Sequence, residues 1–366
     1  MRVVVTGGGT GGHVFPALEV ARAFQEQGED VQYFGSLRGQ EERHCRNASI
    51  AFQGFPSEPL YSLKTLRGLK GAMNLARATV LARRALMVLR PDVVFSTGGY
   101  ASAPVVHAAD KLGIPFVIHE QNVVPGRTNR ILGQRAFCVS TTFRSGAEHF
   151  PSAKVIRTGM PIRSEFRAGQ GSLGLVREHT DPMLLVMGGS QGAQAINEAA
   201  MATAVRMVRT PLQWLHVAGP KHYEGMSGSV EKLGLDSRYV LRAFLESSDM
   251  ATAMMGCELA ICRSGAGTLA ELAALRKPAI LIPYPHSFAD HQLANAREFE
   301  EMGAATILEE KDLQPAALES RILSWLGEAD RQEAARVAMA EWDLPDSVSR
   351  ITGLLREAAG KVALLA

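Results

Sequence analysis

The chain has 366 residues, 46% hydrophobic and 21% charged, with Lys+Arg 39 against Asp+Glu 37. That composition excludes a disordered chain, and the length suits two domains of ordinary size. A net charge of +2 disfavours a protein that coats nucleic acid, unless the charge is concentrated locally.

No apolar run reaches the 18 or so residues of a membrane-spanning helix. Met1-Arg2 leads into Val-Val-Val and glycine, without the long apolar stretch and small-residue cleavage site of a signal peptide. Cys45, Cys138, Cys257 and Cys262 have no CxxC spacing, so reduced structural thiols in a cytoplasmic protein are expected.

Short β-branched runs alternate with helix-like segments, the pattern of parallel sheets covered by helices. Strands are predicted at 2–5, 31–34, 92–96, 115–119, 136–139 and 154–157, and again at 183–187, 213–217, 239–243, 258–262, 279–282 and 305–308.

The first strand runs into Gly7-Gly8-Gly9-Thr10-Gly11-Gly12-His13, with a helix starting near Pro16. Dense glycines let backbone amides approach an oxyanion, and a helix start adds its positive dipole end. Gly7, Gly9 and Gly12 satisfy GxGxxG, but the second strand ends Phe34-Gly35-Ser36-Leu37-Arg38, without the acid that binds a dinucleotide ribose. A tight turn with no ligand is the alternative. His13, next to the loop, can take a proton at neutral pH and is a candidate general base; otherwise it is a satisfied polar group.

From Lys64 to Arg90 there is no Asp or Glu. Lys70, Arg77 and Arg84 recur every seven residues as one helical stripe, and Leu69, Met73, Ala76, Val80 and Met87 form an apolar one. The segment reads either as a surface helix with its apolar stripe in the core or as a helix resting on anionic lipid. Few aromatics interleave with these cations, which argues against nucleic acid.

Gly98-Gly99-Tyr100 and His119-Glu120-Gln121-Asn122, followed by Asn129, lie at strand carboxyl ends, where open α/β sheets bind ligands. Three strand ends then converge on one site. Gly159-Met160-Pro161-Ile162-Arg163 and the polar stretch after it mark a domain boundary.

The second half repeats the device: strand 183–187 enters Gly188-Gly189-Ser190-Gln191-Gly192, and Ser190 adds a hydroxyl donor suited to phosphate. Strand 258–262 enters Arg263-Ser264-Gly265-Ala266-Gly267-Thr268-Leu269-Ala270-Glu271. Its amides could hold a diphosphate while Glu271 accepts from a ribose diol; alternatively Thr268-x-x-Glu271 is a capping box. His286, Asp290, His291, Gln292 and Asn295 cluster next, without metal-ligand spacing. After residue 311 only helical segments are predicted.

In order from residue 5 to about 300, the first glycine loop with Val14-Phe15-Pro16-Ala17, Gly98-Gly99-Tyr100, His119 to Asn122, Gly188 to Gly192 and Arg263 to Ala266 resemble the MurG family of bacterial glycosyltransferases. The resemblance implies an α/β protein of the GT-B glycosyltransferase fold, two Rossmann-like domains with parallel sheets facing across a cleft. Residues 1–162 would form the acceptor-binding, membrane-docking domain and 163–343 the UDP-sugar domain, with 344–366 crossing back as a helix to the first.

The implied reaction is inverting transfer of N-acetylglucosamine from UDP-N-acetylglucosamine to the C4 hydroxyl of the muramyl sugar of lipid I, giving lipid II for peptidoglycan. Ser190 with Gln191 and the backbone of Ala266, Gly267, Thr268, Leu269 and Ala270 would hold the diphosphate. Phe244 and Leu245 would hold uracil, Glu271 the ribose and Gln292 the sugar, with Arg163, Asn122, Thr10, Gly11 and Gly12 completing the donor site.

Gly98, Gly99, Tyr100 and Asn129 fall on the acceptor side, and a base is needed there: His13, with Glu120 as the competing carboxylate. A lipid acceptor favours Lys70, Arg77 and Arg84 as part of a docking face on an anionic membrane, peripheral on its cytoplasmic side. Cell-wall synthesis proteins become expected partners. No Asp-x-Asp element is present, so neither metal nor cofactor is required. Met160 and Gly267 depart from the family, which often has Asn and Leu there. Two other readings stand: another GT-B UDP-sugar transferase or epimerase with a different acceptor, and a non-catalytic nucleotide-binding membrane adaptor.

Overall fold

A computed structural model describes residues 1–59, 64–168, 181–189, 191–235 and 238–363. The chain divides into two compact units: Met1–Ile162 together with the segment from Leu344 onward, and Arg163–Asp343.

The first unit is built on a seven-stranded parallel sheet. Its strands are β1 Arg2–Thr6, β2 Asp30–Ser36, β3 Ala51–Phe55, β4 Val93–Ser96, β5 Phe116–Glu120, β6 Cys138–Thr141 and β7 Val155–Arg157, in the order β3-β2-β1-β4-β5-β6-β7. Val3 pairs with Val31 on one side and Val93 on the other, so the β-branched run of β1 is covered on both faces. The helix Gly11–Glu26 buries Val14, Ala17, Leu18, Ala21 and Phe24, the three-and-four spacing of one helical face. The helix Ser347–Ala363 packs on that helix and on β4 and β5. Its Ile351, Leu355 and Ala358 are fully buried in the same core, the two larger side chains contributing about 1.5–3 kcal/mol each.

The second unit repeats the plan with six parallel strands: β8 Met183–Met187, β9 Gln213–Val217, β10 Tyr239–Arg242, β11 Leu259–Cys262, β12 Ala279–Leu281 and β13 Ala305–Ile307, ordered β10-β9-β8-β11-β12-β13. In both sheets the first strand sits beside the fourth, where the winding reverses, and ligands of open α/β sheets bind at the carboxyl ends of such strands. Gly7–His13 and Gly98–Tyr100 flank that point in one unit, Gly188–Gly192 and Arg263–Gly265 in the other.

The described residues form thirteen strands where twelve are expected, the addition being β3, an edge strand whose sequence Ala-Phe-Gln-Gly-Phe has no β-branched residue and buries only Phe55. Of the two readings of the helix Leu66–Leu89, capped by Thr65 Oγ1 accepting from the Gly68 amide at 3.1 Å, the one that places its large apolar stripe in the core does not hold. The helix buries Gly68, Gly71, Ala78, Ala82 and Leu86, the last three in one core cluster with Val105, Val106, Ala108 and Ala109 of the helix Ala103–Leu112, while Leu69, Met73, Val80 and Met87 are exposed.

All four cysteines are buried thiols, none of them in a disulfide. Burial pushes the Cys45 thiol up to about 12 and Cys138 up to about 11. No helix among the described residues is long and apolar enough to cross a membrane.

Candidate active site

In the first unit three strand ends interlock. The Gly8 amide donates to Gly98 O at 3.3 Å, and a Cβ on Gly99, whose φ is +82°, would strike the Gly8 carbonyl, so only glycine fits. The Tyr100 ring lies against Gly9. Thr97 Oγ1 donates to His13 O at 2.7 Å, tying the β4 end to the start of the first helix.

Thr10 is the N-cap residue of the helix Gly11–Glu26, yet its side chain makes no capping bond. Its hydroxyl lies 3.0 Å from His13 Nδ1 instead. Gly11 and Gly12 form the first helical turn, where backbone amides have no helical acceptor. His13 is half-buried, its ring held at one nitrogen by Thr10.

The His119-Glu120-Gln121-Asn122 run turns largely inward. His119 Nε2 lies 2.9 Å from Gly159 O, and Gln121 Nε2 donates to Thr97 O at 2.9 Å. Burial lowers His119 to about 4, so the ring is neutral and donates from Nε2. Glu120 is buried: Oε1 accepts from the Asn122 amide (3.0 Å) and Oε2 from Asn129 Nδ2 (2.9 Å) and the Gly126 amide (3.2 Å). Burial raises its carboxyl, and these donors pull the other way. Asn129, also buried, faces Gly98, whose missing Cβ would meet its amide.

In the second unit the loops after β8 and β11 open into one cleft of about 530 Å³, lined by Gly188, Gly192, Arg263, Gly265, Thr268 and Gln292 among others. Ser190 lies outside the described residues, and Gln191 beside it is exposed. Ala266 to Ala270 are the opening residues of the helix Ala266–Leu275; the Leu269 amide donates to Gly265 O at 3.0 Å, so the helix-start amides are those of Ala266 to Thr268, and Leu269 and Ala270 are buried behind them.

The N-cap of that helix is Gly265, without a side-chain bond, so the capping box at Thr268 is not formed. Glu271 Oε1 instead accepts from Arg163 Nη2 at 2.7 Å, and Arg163 Nη1 donates to Ser247 Oγ at 2.6 Å. Burial raises the Glu271 carboxyl, against the Arg163 charge. Leu245 is buried and Phe244 half exposed just after β10. Gln292 Oε1 accepts from the Tyr284 amide at 3.0 Å, which fixes its side chain at the cleft.

His286 packs edge-on against Tyr284, and His291 Nδ1 donates to Phe288 O at 3.0 Å. Among the described residues no three His, Cys, Asp or Glu side chains form a metal-binding group.

Sequence reasoning missed Tyr284, Glu310 and Glu41. Arg263 Nη2 pairs with Glu310 at 2.5 Å and lies over the Tyr284 ring, both lining the cleft. Neither partner belongs to a motif, because each arrives from the loop after a different strand.

Residues 3–141 match the Glycosyltransferase family 28 N-terminal domain and residues 183–351 the Glycosyltransferase family 28 C-terminal domain. The chain is 35% identical to a UDP-N-acetylglucosamine–N-acetylmuramyl-(pentapeptide) pyrophosphoryl-undecaprenol N-acetylglucosamine transferase of Bacillus cereus, over 99% of this chain and 100% of that one. It is 34% identical to the transferase of the same name from Bacillus licheniformis, over 98% of each. Among solved structures it is similar to Acinetobacter baumannii MurG, with TM-score 0.79 and 29% identity over 98% of this chain and 100% of that one. The two parallel sheets and this likeness are those of the GT-B glycosyltransferase fold. The chain belongs to glycosyltransferase family 28.

Proposed function

We propose that this chain transfers N-acetylglucosamine from UDP-N-acetylglucosamine to the C4 hydroxyl of the muramyl sugar of lipid I, yielding lipid II and UDP. The observation that carries the reading is the full-length 35% identity to a transferase of that name, in a chain with both family 28 halves. The acceptor oxygen attacks the anomeric carbon, the bond from that carbon to the UDP oxygen breaks, and the α-linked donor becomes a β-linked product.

His13 takes the acceptor proton. Its Nδ1 lies 3.0 Å from the Thr10 hydroxyl, which orients the ring at the helix start beside the glycine loop. Glu120 is the weaker candidate, since four donors already occupy its oxygens and it is buried; it is better suited to shaping the 122–129 loop beside Gly98, Gly99, Tyr100 and Asn129. In the second unit, the amides at Ala266 to Thr268 and the Arg163 charge suit the departing diphosphate, Glu271 the ribose, Phe244 and Leu245 the base, and Gln292 the sugar. Incubating the chain with UDP-N-acetylglucosamine and a short-chain lipid I analogue tests this: UDP and the disaccharide product should form together, whereas free sugar or an epimerised nucleotide would refute it.

The helix Leu66–Leu89 gives the acceptor's lipid a place to meet the enzyme. Leu66 is 87%, Met73 73% and Val88 85% exposed, on the same helical side as Lys70, Arg77 and Arg84. Large apolar groups left in water beside cations on an acid-free helix suit anionic headgroups and the acyl boundary beneath them. This makes the enzyme peripheral on the cytoplasmic face, where its nucleotide donor is available.

A further inference from the structure

Glu41 is fully buried at the start of the helix Glu41–Asn47 and belongs to no motif. Its Oε1 accepts from the Gly9 amide at 3.0 Å, and its Oε2 is buried without a hydrogen-bond partner. Burial raises its pKa. A buried carboxyl with an unmatched oxygen is costly, so its retention calls for a reason.

The backbone around it is shaped to hold it. On Gly39 the three nearest atoms to an added Cβ would all belong to the Glu41 carboxyl group, and on Gly8 the closest would be Glu41 Oε1. Gly9 has φ +94°, which turns its N–H inward to the carboxylate. The chain then leaves this anchored amide directly into Thr10 and the open helix start at Gly11, Gly12 and His13.

We infer that Glu41 is a positioning residue for the transfer reaction: by anchoring the Gly9 amide it fixes the loop that presents Thr10, the helix-start amides and His13. The inference rests on the base role given to His13 above. Glu41 touches no substrate and acts through the loop alone.

The test uses steady-state kinetics with the lipid I analogue, beside calorimetric UDP binding, for the wild type, Glu41→Ala, Glu41→Gln, Gly39→Ala and the Gly39→Ala/Glu41→Ala double variant. Glu41→Ala should lower kcat about 10- to 100-fold, the scale of a misplaced catalytic group, while UDP affinity stays within about twofold. Glu41→Gln keeps an oxygen for the Gly9 amide and should recover most of the loss. Gly39 has no positive φ, so alanine is conformationally accepted there; its Cβ expels the carboxylate and should reproduce the Glu41→Ala defect. The double variant should be no worse than Glu41→Ala.

Wild-type kcat in Glu41→Ala, losses that multiply in the double variant, or UDP affinity falling together with kcat would each overturn the positioning role. A wild-type chain that makes no product refutes the transferase reading and this inference with it, whereas an active wild type beside an active Glu41→Ala refutes this inference alone.

Discussion

The two glycine loops that follow β1 and β8 begin from one sequence device and end in different surroundings. The first is closed in from behind: Gly98 and Gly99 lie on Gly8, the Glu41 carboxylate takes the Gly9 amide, and an imidazole stands at the helix start. The second opens into a cleft of about 530 Å³, and an ion pair, Arg163 with Glu271, ties down the helix that follows the neighbouring strand. A loop fixed in place and furnished with a base suits proton transfer, and a loop facing open space suits a bulky anion. Glycine spacing alone does not tell the two apart; their neighbours do.

Replacing the base breaks this comparison hardest. His13→Ala should lower kcat about 1,000-fold, the middle of the range for general base catalysis, with UDP binding intact because the nucleotide belongs to the other unit. Near-normal turnover in that variant would move the base elsewhere. Next comes Glu271→Ala, which removes the carboxylate proposed for the ribose and strips Arg163 of its 2.7 Å partner. We expect kcat/KM for UDP-N-acetylglucosamine to fall about 100-fold, in line with breaking a largely buried pair. Unchanged UDP affinity measured by calorimetry would show that the nucleotide does not reach Glu271.

Much of this was legible in the sequence, and the omissions have physical causes. Strands announce themselves when a short apolar run is buried throughout, as in β1 and β8; β3 has one buried side chain and a glycine, so it carries no such signal. Apolar periodicity marked the helix Leu66–Leu89 but left open whether its large side chains are buried. Packing against Ala103–Leu112 uses the small residues Ala78 and Ala82, which a pattern of large side chains overlooks. The motif residues of the site could be named, yet Glu41 could not: it is recruited by a loop 32 residues away, and the visible hint is a lone Gly39.

The exposed helix face gives the third test. Replacing Lys70, Arg77 and Arg84 together by Gln should weaken binding to vesicles containing phosphatidylglycerol about 10- to 100-fold, since each cation near an anionic surface is worth about 1 kcal/mol before screening. Wild-type binding should fade as salt rises, and kcat on a water-soluble acceptor should not change. Equal vesicle binding by the triple variant and the wild type would remove the docking role.

The smallest expected effect compares the two units through their buried histidines. His119 in the first donates from Nε2 to Gly159 O, its Nδ1 facing Gln121. His216 in the second lies 3.0 Å through Nε2 from Asn197 Oδ1 and 2.6 Å through Nδ1 from Tyr239 OH. Burial lowers His119 to about 4 and His216 to about 3, from an ordinary 6.5. Between those values and 6.5 the unfolded chain binds protons that the folded chain refuses, so stability present above pH 6.5 is lost as the pH falls toward 4 or 3. From pH 7 to pH 5 each histidine should cost its unit about 2 kcal/mol. All three tryptophans, Trp214, Trp325 and Trp342, lie in the second unit, so their fluorescence in urea reports His216, while circular dichroism reports both units. His119→Gln should flatten the pH dependence seen by circular dichroism and leave the tryptophan signal unmoved. If both probes give the same unfolding free energy at pH 7 and pH 5, neither histidine is kept neutral by the fold.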